Sequence, residues 1–85
     1  MRFLVWMSWE PDKANEVTER FKKWVTPEGV KSILPTQTVM GRNEAFSIIE
    51  IDDPKLLAVY DRRWRDIAVF EMLPIMESSE IVKIQ

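Results

Sequence analysis

The chain has neither cysteine nor histidine among its 85 residues. Without cysteine there is no disulfide, no thiolate nucleophile and no cysteine-held metal, an absence that agrees with a cytoplasmic protein. Without histidine the side chain that most readily titrates near neutral pH is gone, and with it the commonest general base and metal ligand. Only two glycines are present, so there is no glycine-rich loop to cradle a phosphate. No apolar run approaches the roughly 20 residues of a membrane span. Phe3–Met7 is apolar behind a single Arg, but no signal-peptide core or small-residue cleavage site follows, and a first strand is expected there. Twelve basic residues face 14 acidic ones, mixed along the chain with a net charge of −2, which argues against a nucleic-acid partner. A metal would have to rely on carboxylates alone. Asp52-Asp53 is better explained as a helix cap, so neither metal nor cofactor is expected.

What the chain does have is apolar bulk. Hydrophobic residues make up 46%, with four Trp, four Phe and five Met. A chain this short forms one domain, residues 1–85, and buries only about 60–65% of the surface its unfolded form exposes. The surplus predicts apolar surface for a partner subunit or a ligand.

The order of elements follows from period and punctuation. In Arg2–Trp9, Phe3, Val5, Met7 and Trp9 alternate with Leu4 and Trp6, so both faces of this strand are apolar and both should be covered. Glu10-Pro11-Asp12 opens a helix, and Ala14, Val17, Phe21, Trp24 and Val25 share its inward face. Thr26-Pro27-Glu28-Gly29 turns the chain into a second strand over Val30–Met40. There Pro35 demands an edge position, a bulge or a break. Gly41–Glu44 is a hairpin turn in which Gly and Asn can take positive φ. The third strand, Ala45–Ile51, hands directly to a helix capped by Asp53 with Pro54 at its first position. Leu56, Leu57, Tyr60, Trp64 and Ile67 then form one face. Ala68–Ile75 is a fourth strand ending near Pro74, and the tail reads as a short helix capped at Ser78 or Ser79, with an added strand as the alternative. The sum is β-α-β-β-α-β plus a tail. This is an α+β, ferredoxin-like fold with a four-stranded antiparallel sheet and both helices on one face. The other face needs a cover, most simply a second copy of the chain.

The opening FLVWMSWEP, the turn PEGVK, the stretch AFSIIEIDDPKLLAVYDRRW and the closing VFEMLPIME together resemble the family known as domain of unknown function 3303. The resemblance spans nearly the whole chain, and through wider relatives it is similar to the dimeric α+β barrel superfamily. It implies a homodimer packed sheet against sheet, with small ligands entering between sheet and helices. It brings no activity of its own. Monooxygenases and haem-degrading enzymes of that superfamily use Asn, Trp and His, or a His ligand to iron. Here Trp64 matches such a Trp, but the first strand has no Asn and the chain no His.

Candidate site residues are therefore Trp6, Glu50, Tyr60, Arg63 and Trp64, with no catalytic residue named. A carboxylate desolvated among apolar strand residues, as Glu50 or Glu71 would be, makes a general base; the alternative is a carboxylate reaching water or an Arg. Tyr60, Arg63 and Trp64 lie within about one helical turn and could hold an aromatic or carboxylate ligand, the alternative being two core aromatics and a surface Arg. Trp6 and Trp9 lie on opposite strand faces, suiting one to a cleft and the other to a subunit interface, unless both are simply core. Arg62, Arg63 and Arg65 are largely neutralised by Asp61 and Asp66. Three functions stay open: a homodimeric small-molecule binder with a partly apolar cleft, a cofactor-independent monooxygenase- or isomerase-like enzyme, and a protein-interaction module.

Overall fold

Asp52–Pro54 converts a strand into a helix, and the remaining elements are arranged around that junction. The computed structural model describes residues 1–84. Along the chain run β1 (Arg2–Ser8), a 3₁₀ turn (Pro11–Lys13), α1 (Ala14–Lys22), β2 (Val30–Thr38), β3 (Glu44–Ile51), α2 (Lys55–Trp64), β4 (Val69–Ile75) and α3 (Ser78–Ile84). The strands form one sheet in the order β2-β3-β1-β4, every neighbouring pair antiparallel. This is the ferredoxin-like arrangement. At the junction the Asp53 carboxylate accepts the Lys55 amide at 2.9 Å, satisfying one of the free donors at the start of α2.

Several boundaries differ from the sequence expectations, each for a local reason. Strand β1 stops at Ser8, and the Trp9 amide instead meets the Asn43 carbonyl at 3.1 Å. Helix α1 ends at Lys22, after which the Trp24 amide bonds the Phe21 carbonyl at 3.0 Å. That tighter turn swings Trp24 towards the sheet and leaves Val25 74% exposed, off the inward face. In β2, which ends at Thr38, Pro35 is accommodated twice over. The strand is at the sheet's edge, and its register slips between Ser32 and Leu34 and again between Leu34 and Gln37. In the hairpin Gly41 alone takes positive φ (80°), and Asn43 does not. Gly29 also needs it, at φ 89°, and a Cβ there would stand 3.1 Å from Leu56 Cδ1. Strand β4, the other edge, runs through Pro74 to Ile75. The tail is a helix over Ser78–Ile84.

Register decides which side chains meet the helices. Phe3, Val5 and Met7 of β1 lie opposite Ile49, Ser47 and Ala45 of β3, and opposite Pro74, Met72 and Phe70 of β4. Val17 of α1 and Tyr60 and Trp64 of α2 close over this surface, so both helices cover the same face. Two core clusters result. One gathers Met7, Val17, Ala45 and Trp64, and the other Phe3, Val5, Ile49 and Tyr60. Trp24 and Phe70 pack against both clusters and join them.

The opposite face carries Leu4, Trp6, Phe46, Ile48, Leu73 and Val69, none of which is among the buried core of the described residues. Trp6 and Phe46 stack across the strands with centroids 5.5 Å apart and planes 6° from parallel. Val69 and Leu73 are 64% and 47% exposed. Helix α3 buries no residue, and the radius of gyration, 14.0 Å, exceeds the roughly 12 Å of a close-packed chain this long. Among the described residues no helix is long and apolar enough to cross a membrane.

Candidate functional site

The helix-covered face is not sealed along its β2 side. Helix α1 packs its Val17 in one cluster with Met7 of β1 and Ala45 of β3, the two central strands. Between this helix and the edge strand a groove opens over β2 and β3, bounded by Phe21 and Trp24 from the α1 end and by Tyr60 from α2. Hollows of about 260 Å³ and about 200 Å³ adjoin along it, with a neck of about 40 Å³ leading inward to Trp64 and Phe70. The aromatic wall is continuous. Trp24 is 5.2 Å from Tyr60 and 5.7 Å from Trp64, and Phe70 lies 6.4 Å from Tyr60 and 6.0 Å from Trp64, centroid to centroid. The facing wall carries hydroxyls, Ser32 and Thr36 of β2 and Ser47 of β3, beside Pro35 and Ile49. The side-chain hydrogen bonds of the described residues lie elsewhere and use none of these three oxygens, nor that of Tyr60. Burial pushes the Tyr60 phenol above its ordinary pKa, so it stays neutral.

Behind the aromatic wall a clasp fixes α1 to the end of α2. Arg20 donates to both Asp66 carboxylate oxygens, at 2.6 and 2.9 Å, and to the Arg63 carbonyl at 2.8 Å. Its guanidinium also lies 5.8 Å above the Trp64 ring. The Arg20 hydrogen bonds hold Asp66 below the usual carboxylate range, and Asp66 in turn raises Arg20.

The expected site residues separate into three places. Tyr60 and Trp64 reach the groove and its neck, at 6% and 2% exposure. Arg63 sits over Trp24, its guanidinium 5.7 Å from the ring centroid, but does not line the groove. Trp6 and Glu50 belong to the opposite face of the sheet, Trp6 opposite Phe46 and Glu71, and Glu50 opposite Arg2 and Lys31. A cleft joining all five residues therefore does not exist within one chain. The reason is register: β1 pairs with β3 so that Trp6 and Glu50 point away from the helices. Glu71 is exposed on that same outer face.

Sequence reasoning took Phe21 and Trp24 for core and passed over the hydroxyls. The available signal was Ser47, a lone polar residue within the apolar run Ala45–Ile51, together with the hydroxyls of Thr36 and Thr38 just past Pro35. A larger hollow of about 520 Å³ opens at the end of the sheet among Trp9, Lys13, Arg42, Glu44, Arg65 and Asp66. Most of its charges are already engaged, Arg42 with Glu44, Lys13 with Glu16, Arg65 with Asp61 and Asp66 with Arg20, while Glu10 also lines it. It is a solvated notch between ion pairs. One donor beside it, Trp9 Nε1, is buried without a partner. Among the described residues no group of three Asp or Glu could hold a metal ion.

The family described as Domain of unknown function (DUF3303) matches residues 1–85, and the chain belongs to it. No protein of curated function and no solved structure matches.

Proposed function

We propose that this chain is one domain, residues 1–85, that binds a small, partly apolar molecule in the groove between α1 and β2 and works as a homodimer of the α+β barrel kind. The observation that carries the binding reading is the groove itself. An aromatic wall of Phe21, Trp24 and Tyr60 faces three hydroxyls that the chain leaves unused. Sites for small molecules are commonly of this make-up, largely apolar with a few placed polar groups. The enzyme reading has less behind it. Tyr60 is the one titratable side chain lining the groove, and burial keeps it protonated. Glu50, one of the two carboxylates weighed as a base from sequence, lies across the sheet.

The dimer reading is supported by the uncovered outer face, where Leu4, Trp6, Phe46, Ile48 and Leu73 form a continuous apolar surface. Four strands about 4.8 Å apart and seven residues long, at about 3.4 Å each, span roughly 450 Å² in projection. Side-chain relief brings that towards the ~800 Å² per partner of an ordinary specific interface. The same face also favours a second reading, a module whose partner is another protein, and the exposed Ile81, Val82 and Ile84 of α3 add to it. A cytoplasmic setting goes with either reading and agrees with the lack of cysteine.

Native mass spectrometry of freshly purified protein separates them. A dimer carrying extra mass is the expected result, and Trp6→Glu should convert it to monomer by placing a charge in the interface. A monomer at micromolar concentration for the parent chain would overturn the dimer. A dimer with no adduct, and no tryptophan quenching by any small molecule screened, would favour the interaction module.

A further inference from the structure

We propose that the groove between α1 and β2 selects uncharged ligands with one flat apolar side and hydrogen-bonding groups along the other, and rejects anions built on the same ring. This rests on the binding reading above and names the ligand chemistry of that site. Charged residues make up 31% of the chain, yet no Asp, Glu, Lys or Arg lines any of the three adjoining hollows. Their side-chain polar groups are hydroxyls, which both donate and accept, and tryptophan N–H groups, and none of them carries a charge. A carboxylate or phosphate entering there would shed water and meet no cation, which is the costly way to bury a charge.

Two arginines pack on the aromatic wall from outside the groove, Arg20 over Trp64 and Arg63 over Trp24. Arg20 gives its terminal nitrogens to Asp66 and to the Arg63 carbonyl. A flat ring fits the wall that Phe21 and Trp24 present, and its oxygen or nitrogen atoms then face Ser32, Thr36 and Ser47. Hollows of about 260 and about 200 Å³ accommodate one or two fused rings. The groove is on the helix side of the sheet, so a second copy covering the outer face leaves its mouth open.

The test is calorimetric titration of the full chain with naphthol and with naphthoate, which share a ring system and differ in charge at neutral pH. Naphthol is expected to bind at least tenfold more tightly. Thr36→Val and Ser47→Ala should each weaken it several-fold without moving the thermal unfolding midpoint, and amide shifts should centre on Thr36, Ser47 and Tyr60. Naphthoate binding as tightly as naphthol would overturn this inference and leave the binding reading standing. So would naphthol shifts confined to the outer face of the sheet. No heat and no shifts from either probe at millimolar concentration would bring down the binding reading and this inference together.

Discussion

Replacing Trp64 by phenylalanine tests whether this residue holds the core or serves a ligand. The indole is 2% exposed, and its neighbours are the Trp24 ring at 5.7 Å, the Phe70 ring at 6.0 Å and the Arg20 guanidinium at 5.8 Å. Phenylalanine keeps a ring at that place but removes about three buried heavy atoms. At about 0.8 kcal/mol for each, the transfer loss is roughly 2 kcal/mol. The void left behind adds to this if the site cannot collapse. A chain of this length is stable by about 4–13 kcal/mol in all, so the variant should still fold. Its thermal midpoint should drop by about 8–16 °C at fixed protein concentration. Urea unfolding followed by circular dichroism is the assay, and the midpoint should fall with an unchanged slope. A loss below about 0.5 kcal/mol, the size of an ordinary surface substitution, would refute the reasoning. Trp64 would then be a poorly packed ring free to meet a ligand.

Two further predictions concern ionisation. Tyr60 is the only tyrosine, so tyrosinate absorbance reports it alone; its folded midpoint should lie above the ordinary value near 10 because burial disfavours the charged form. With the folded pKa raised, the associated stability is complete below about pH 10 and is lost as pH rises through the folded midpoint; a midpoint at or under 10 would refute it. Asp66→Asn should destabilise the chain at neutral pH by opening the Arg20 clasp. Because the folded carboxyl pKa is depressed, the gap between variant and parent should be complete above about pH 4 and vanish as pH falls through the folded value; a gap independent of pH would exclude the ion pair as its cause.

Much of the fold was legible because its signals are local. Asp53 and Pro54 announce a helix start whatever surrounds them, and Pro35 admits few sites in a sheet other than an edge or a bulge. The alternation in Arg2–Ser8 sorts its side chains into two sets without any knowledge of the neighbours. What alternation leaves open is which set meets the helices, and that depends on pairing across some forty residues of chain. Alternation alone therefore leaves Trp6 and Glu50 as cleft candidates, although they share the outer face with Phe46 and Ile48. The groove was less legible still. Phe21 and Trp24 have the spacing of core residues, and only the distance between α1 and the edge strand turns them into a wall.

The two prolines of the sheet, Pro35 and Pro74, stand one in each edge strand. A strand margin with a missing donor is a poor template for another chain, and here both margins have one. Lengthening of the sheet by copies adding side by side, which is how apolar strands grow into fibres, is thereby disfavoured at both edges. The broad outer face has no such obstacle, and in the homodimer proposed above that face would be used up in a single closed pair. The proposed homodimer would then leave the sheet neither an open face nor a fully pairing edge for a third copy.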